Sequence, residues 1–335
     1  MQTSLDLSSL SRRDALKAGL IFSSGLLTGS WTGSAKAAEP KMDFGKDGLH
    51  FLAVGDYGSG NDAQRKVAQR MNEFVGSLGT PLTAVLALGD NFYNKLETER
   101  FGRGFEEMYS KEHLDCPFYA CLGNHDYGPG YDSKQGAPKA DIQLAYAKDN
   151  PTSRWKMPAK WYAVEFPNAA NPLVKIIYLD SNMHEEGMLT PQEKLDQKRF
   201  LEAELAKGSK AKWLWIVAHH PVFTDTIKRK DSPGLIKNWG GYLQQNPVSL
   251  YLSGHDHNLQ HLRLPDYSAS FLVSGGGGAK SYETKLSDRG FSKTIYGFNH
   301  IHVNDERIKV QIIDADGECL HAFTRDMSGK MEITV

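Results

Sequence analysis

LALGDNFY, residues 86–93, leaves a short apolar run at Gly89, sets Asp90 beside Asn91, and returns to the aromatic residues Phe92 and Tyr93. A run of this kind reads as a strand buried on both faces, which places it in a parallel or mixed sheet covered by helices. A carboxylate just beyond it stands where open α/β sheets bind ligands, outside the carboxyl ends of their strands. Gly89 lets the chain turn sharply there and approach an ion with no Cβ in the way.

The same pattern recurs along the chain. LHFLAV (49–54) runs into GDYG (55–58), FYACL (118–122) into GNHD (123–126), KWLWIVA (212–218) into AHHP (218–221), and SLYLS (249–253) into GHDH (254–257). Further apolar runs stand at TAVLAL (83–88), VKIIYL (174–179) and SFLVS (270–274), with WYAVEF, HIHV and IKVQII as additional candidates. Helical spacing fills Asn61 to Leu78. A second helix opens at Thr190-Pro191-Gln192-Glu193, with an N-cap, a proline at the first position and a capping-box glutamate, and should stop at Gly208. Gly128 to Pro138 reads as a surface loop. The class is layered α/β.

Any one of the five strand ends is weak alone. Asp56 by itself reads as a cap for the helix after Asn61, Asn124 as a turn residue, and His255-x-His257 as a surface or satisfied core pair. Together they place Asp, Asn and His repeatedly at the same end of successive strands, where unpaired carboxylates would carry a heavy desolvation cost. That points to metal.

The bulk composition narrows the partner. The chain has 335 residues, is 40% hydrophobic, and carries 39 basic against 40 acidic side chains, so it offers no field for nucleic acid. SRRDALK (11–17) precedes a weakly apolar run, 18–31, and then Ala35-Lys36-Ala37, which together read as a cleavable signal peptide. The pair Arg12-Arg13 resembles a twin-arginine export signal, implying the twin-arginine export machinery as a partner and a periplasmic or secreted product. Cleavage near Ala37 removes residues 1–37 with four basic and two acidic side chains, moving the net charge from −1 to −3. Residues 38–48 then form a lead-in and 49–335 a single catalytic domain. Nothing after residue 37 approaches the roughly 20 consecutive apolar residues of a membrane span, so no stable membrane insertion is expected after cleavage. Cys116, Cys121 and Cys319 are too few for a disulfide framework. The first two flank one strand and cannot bond to each other; buried free thiols are expected, with a pairing of Cys319 to either left open.

The order GDYG, GDNFY, GNHD, AHHP, GHDH resembles the calcineurin-like metallophosphoesterase superfamily over nearly all of the chain after residue 37. Tyr93 within GDNFY resembles the purple (tartrate-resistant type) acid phosphatases. The resemblance implies a four-layer α/β/β/α sandwich of two mixed sheets flanked by helices. It also implies two metal ions, the first held by Asp56, Asp90, Tyr93 and His257, the second by Asp90, Asn124, His219 and His255, with Asp90 bridging. The first set is rich in anionic oxygen and suits Fe(III); the second, with two imidazoles and an amide, suits divalent Fe, Zn or Mn.

By the same resemblance, Asn124 and His125 lie beside the bound phosphate, His125 as a candidate acid. His220 is either substrate-lining or a packed histidine, and His261 follows GHDH closely enough to buttress a ligand. His300 and His302 alternate along a strand and face one side. The implied reaction is hydrolysis of a small phosphate monoester by direct attack of a metal-bound water. No Gly-rich Walker loop or G-x-S-x-G supplies a competing chemistry. A phosphodiesterase or nucleotidase of the same superfamily is the alternative, and an exported metal-binding or redox protein with incidental hydrolysis a more distant one.

Overall fold

The run LHFLAV becomes strand β1 (Leu49–Val54), and TAVLAL supplies β2 (Ala84–Ala87); apart from Leu49, both are buried throughout. The structure is a computed structural model and describes residues 48–335, apart from Thr98, residues 129–137 and residues 185–187. β1 lies inside an eight-stranded sheet. It pairs in parallel with β2, and β2 with β3 (Phe118–Ala120), which pairs with β4 (Trp155–Lys156). On its other edge β1 meets β12 (Gly297–Val303) antiparallel, followed by β13 (Arg307–Asp314), β14 (Cys319–Asp326) and β15 (Met331–Ile333).

The second sheet has seven strands. Its order is β11 (Gly290–Lys293), β9 (Leu259–Arg263), β10 (Ser270–Ser274), β8 (Val248–Ser253), β7 (Trp213–Val217), β6 (Val174–Tyr178) and β5 (Tyr162–Phe166). β6, β7, β8 and β10 are parallel neighbours.

Parallel neighbours need crossovers, and helices supply most of them. α1 (Asp62–Leu78) joins β1 to β2, α2 (Pro138–Asp149) lies between β3 and β4, α3 (Pro191–Ala206) joins β6 to β7, and α4 (Pro233–Gln245) joins β7 to β8. Asn61 caps α1 by accepting the Gln64 amide at 2.9 Å, and the helix ends at Gly79 with φ +67°. Thr190 and Glu193 form the capping box of α3, which passes through Lys207 to Gly208 at φ +66°.

Three apolar layers hold the four structural ones together. Phe51, Leu86, Ile176, Trp215 and Leu250 pack between the sheets. Leu52, Val67, Met71 and Val75 fill the space under α1, and Ile177, Leu201, Trp239 and Phe271 the space under α3 and α4. Each fully buried aliphatic or aromatic side chain of this kind contributes roughly 1.5–3 kcal/mol. The architecture is the four-layer α/β/β/α sandwich of two mixed sheets.

Several elements differ from the sequence reading. Pro138, placed there in a loop, is the first residue of α2; residues 129–137 of that loop lie outside the described residues. α4 was not anticipated, although Ser232 and Pro233 provide its cap and first turn. β9 continues directly from the GHDH turn. Cys116 and Cys121 are buried in different apolar layers, and no disulfide joins Cys319 to either of them. The proposed export segment also lies outside the described residues.

Candidate metal centre

β1, β2 and β3 of one sheet and β7 and β8 of the other end at a common edge, and each is followed by one of the five turns. The backbone there is strained. Asp56, Asp90 and His255 have φ of +59°, +52° and +66°, and among the described non-glycine residues only Asn94 joins them at positive φ. Left-handed backbone at a non-glycine residue costs roughly 1–2 kcal/mol and persists where the surroundings dictate it, characteristically at functional sites. The turns also pack closely. A Cβ on Gly123 would sit 2.2 Å from both the amide nitrogen and Oδ1 of Asp90, so only glycine lets the turn after β3 pass the turn after β2.

The side chains converge in two groups. In the first, the Tyr93 hydroxyl lies 3.3 Å from Asp56 Oδ1 and 3.2 Å from His257 Nε2, and His257 Nε2 lies 3.2 Å from Asp56 Oδ1. Asp56, Asp90 and His257 each place a ligand atom within 4.8 Å of the others. In the second, Asn124 Oδ1 is 2.9 Å from His255 Nδ1 and 3.2 Å from His219 Nε2. His219 Nε2 is also 3.4 Å from Asp90 Oδ1, which connects the second group to the first. His219 Nδ1 faces the Leu88 carbonyl at 2.8 Å and His257 Nδ1 the Lys280 carbonyl at 2.7 Å, leaving both Nε2 atoms directed into the site. Carbonyl acceptors behind imidazoles are the usual way a ligand tautomer is fixed.

These residues fit a pair of cations. Asp56 and Asp90 are 0% and 1% exposed, and neither ion-pairs with a lysine or arginine among the described residues. Uncompensated buried carboxylates are strongly unfavourable, so the arrangement calls for positive charge. In the protein alone a proton partly supplies it. Burial works to raise the Asp90 carboxyl, but His219 and His125 hold it well below the usual carboxylate range. Burial works to lower His219, yet Asp90 outweighs it and pushes it up to about 9. Burial, with Asp90 and Asp56 adding to it, keeps Tyr93 a neutral phenol well above its ordinary value, so only a strongly acidic cation would draw off its proton.

His125 and His220 lie beside the seven residues expected as ligands. The His125 amide donates to Asp90 Oδ1 at 2.8 Å, and its ring stands 4.7 Å from that of Tyr93. His220 lies beside the second group, its ring 4.1 Å from that of His255 and its Nδ1 2.7 Å from Ser181 Oγ.

His261 is the correction. It buttresses no ligand: its side chain lies between the sheets, with Nδ1 2.9 Å from His321 Nε2 and its ring stacked 3.9 Å from Phe323. The period of two along β9 turns the third residue after His257 and Asn258 away from the site. His300 and His302 do share one side, beneath α1, where His50 Nδ1 meets His300 Nε2 at 3.1 Å and Phe74 covers His300.

Two residues were not anticipated. Asp126, 0% exposed, accepts the amides of Asn91, Phe92 and Gly123 at 3.1, 3.0 and 2.8 Å, and the Gln143 side chain at 3.0 Å. Its signal was present in the GNHD motif as a carboxylate with no role. Arg229 places Nη1 2.7 Å from His255 Nε2 and its guanidinium over Tyr282, which in turn stacks on His257 at 4.2 Å. Only the basic run Lys228-Arg229-Lys230 marked it in the sequence.

Comparison with known proteins agrees with this geometry. Residues 49–259 match the family model described as calcineurin-like phosphoesterase. Purple acid phosphatase 3 of Arabidopsis thaliana is 30% identical over 83% of this chain and 77% of its own length. Tartrate-resistant acid phosphatase type 5 of Mus musculus is 26% identical over 81% of this chain and 88% of its own. Among solved structures, GAP50, the anchor in the inner membrane complex of Plasmodium, superposes with a TM-score of 0.71 at 21% identity, covering 87% of this chain and 90% of that one. The last likeness concerns the fold alone.

Proposed function

The chain belongs to the calcineurin-like phosphoesterase family and is an acid phosphatase with a dinuclear metal centre, and we propose how its residues divide that work. Asp56, Asp90, Tyr93 and His257 hold one ion, and Asp90, Asn124, His219 and His255 hold the other, with Asp90 shared. The observation that carries this is the pair of buried carboxylates, Asp56 and Asp90, without lysine or arginine and ringed by histidine nitrogens and the Tyr93 hydroxyl. The three-oxygen anionic set suits Fe(III), and the set with two imidazoles suits divalent Fe, Zn or Mn.

Such a pair of ions clamps a phosphoryl group, lowers the pKa of water at the site and stabilises charge on the attacking and leaving oxygens. The protein's own groups do the rest. Asn124 has its Oδ1 turned to the two histidines, which leaves Nδ2 to donate to a phosphoryl oxygen. His125, pinned through its amide to Asp90, stands over Tyr93 at the open side, where it donates to the ester and protonates the departing alcohol. Burial lowers its pKa, which makes it a ready proton donor once charged. His220, held by Ser181, lines the leaving-group side.

The substrate is a small phosphate monoester, and the test compares an aryl phosphate monoester with the corresponding diester on metal-loaded enzyme. A higher kcat/KM for the monoester is expected; preference for the diester would transfer the protein to the phosphodiesterase reading. Export rests on Arg12-Arg13, the weakly apolar run after them and Ala35-Lys36-Ala37, which support a twin-arginine route to the periplasm. Ligands from five distant segments meet only after folding, so a route that exports folded protein allows metal to be loaded first. Changing both arginines to lysine should retain the protein in the cytoplasm, and continued export would contradict the route.

A further inference from the structure

Residues of both sheets line a cavity of about 580 Å3 at the end of the sandwich remote from the metal centre. Arg263 of β9 and Ser270 of β10 are cross-strand partners on one wall, and Arg325 of β14 stands on the other. Ser249, near the start of β8, lines the same cavity, whereas His255 and His257 follow the far end of that strand. The two sites are therefore separated by a strand length, roughly 20 Å.

The charges here do not balance. Arg325 is only 9% exposed; its Nη1 donates to the Ser268 carbonyl at 2.5 Å, and its Nε is buried with no hydrogen-bond partner. The Ser270 hydroxyl is likewise buried and unpartnered. Among the described residues no carboxylate ion-pairs with Arg263 or Arg325. Neither nearby acid ion-pairs with the two arginines: Asp326 accepts the Ser328 and Lys330 amides of its own turn at 2.9 and 3.0 Å and reaches Arg325 only through its longer-range field, and Asp305 pairs with Lys212 at 3.0 Å. Burial lowers the Arg325 pKa and the neighbouring Arg263 lowers it further, while Asp326, too far away to ion-pair, works against both. A buried cation facing a second cation across a polar cavity calls for an anion.

We propose that this cavity is a second, non-catalytic site for an oxyanion head group, a phosphate or phosphonate on a small organic molecule, held between Arg263 and Arg325 with Ser270 as a neutral donor. Guanidinium groups match such oxyanions through paired N–H donors, and lysine would not do so equally well. Trp213, Tyr267 and Met331 supply apolar wall for the rest of the molecule, and the volume is that of a small-molecule site. The assignment does not depend on the metal chemistry.

The test is calorimetric titration of the metal-loaded enzyme with phenylphosphonate, whose P–C bond resists hydrolysis, and separately with inorganic phosphate. Wild type should show a binding event that Arg263→Ser weakens about tenfold or more, while kcat for a monoester is unchanged. Arg325→Gln should remove the same event; if that buried substitution does not fold, the exposed Arg263→Ser decides alone. Equal affinity for both ligands at this site identifies the free ion as the occupant, and tighter phenylphosphonate identifies an organic one. Identical titrations for wild type and Arg263→Ser overturn the proposal.

Discussion

Asp126 accepts the backbone N–H of Asn91 at 3.1 Å, and this bond ties the turn carrying Asn124 and His125 to the turn carrying Asp90 and Tyr93. Three further donors share the same carboxylate, so it fixes the distance between ligands of both ions. Asp126→Asn, nearly isosteric, turns an amide toward donors that need an acceptor. We predict a folded variant whose metal affinity falls about 10- to 100-fold, the usual effect of losing a group that orients ligands. Competition with a chelator measures this, and wild-type metal retention would refute the role.

His125 should separate from the ligands in its effect. His125→Ala keeps all seven ligands and removes only the ring over Tyr93, so metal content should be unchanged while kcat drops about 100-fold or more. Metal analysis alongside kinetics distinguishes the outcomes: metal loss equal to that of a ligand variant would make His125 a ligand or a structural residue.

Tyr93 bears on the identity of the first ion. A phenolate on Fe(III) gives a charge-transfer band in the visible, so the oxidised enzyme should be violet to pink. Tyr93→Phe keeps the ring and its packing, removes the oxygen, and should lose the colour and hold the first ion less tightly. A fully loaded, colourless wild type without iron would leave Tyr93 at most a weak ligand to a divalent ion.

The sequence made the chemistry more legible than the packing. GDNFY, GNHD and GHDH could be read because each ligand follows a continuous apolar strand and a glycine, and these local signals survive any arrangement of neighbours. Asp126 belonged to a quoted motif, but its four partners come from residues 91, 92, 123 and 143, a convergence visible only after folding. His261 failed for the complementary reason. Nearness in sequence to GHDH suggested nearness in space, whereas β9 begins at once and its alternation carries His261 between the sheets beside His321. α2 was missed because Pro138, read as the end of a loop, acts as a first-turn residue, and Pro233 does the same at the start of α4, for which no helix was read.

The histidines beneath α1 make stability depend on acid. Burial, with His50 adding to it, lowers His300 to about 3, from an ordinary value near 6.5. His50, His302, Gln311 and Phe74 act on or lie against it, and none of these four is a carboxylate. The folded state thus holds this imidazole neutral while the unfolded chain takes up a proton below about pH 6.5. Its contribution is fully present above that pH and is lost as pH falls toward 3, at up to about 1.4 kcal/mol per unit. His300→Gln, which cannot titrate, should show a shallower fall in Tm between pH 6.5 and 4 than wild type. Parallel curves would remove His300 as a cause of acid sensitivity.

Asp90 is the only side chain placed in both ligand groups, and the central claim is that two ions share it. The most direct measurement is therefore the metal content of purified wild type and Asp90→Ala, determined by elemental analysis after removal of loosely bound metal. Two ions per chain in wild type, with both lost and monoester hydrolysis abolished in Asp90→Ala, are predicted. A single ion in wild type, or a variant that retains both, would contradict the dinuclear centre.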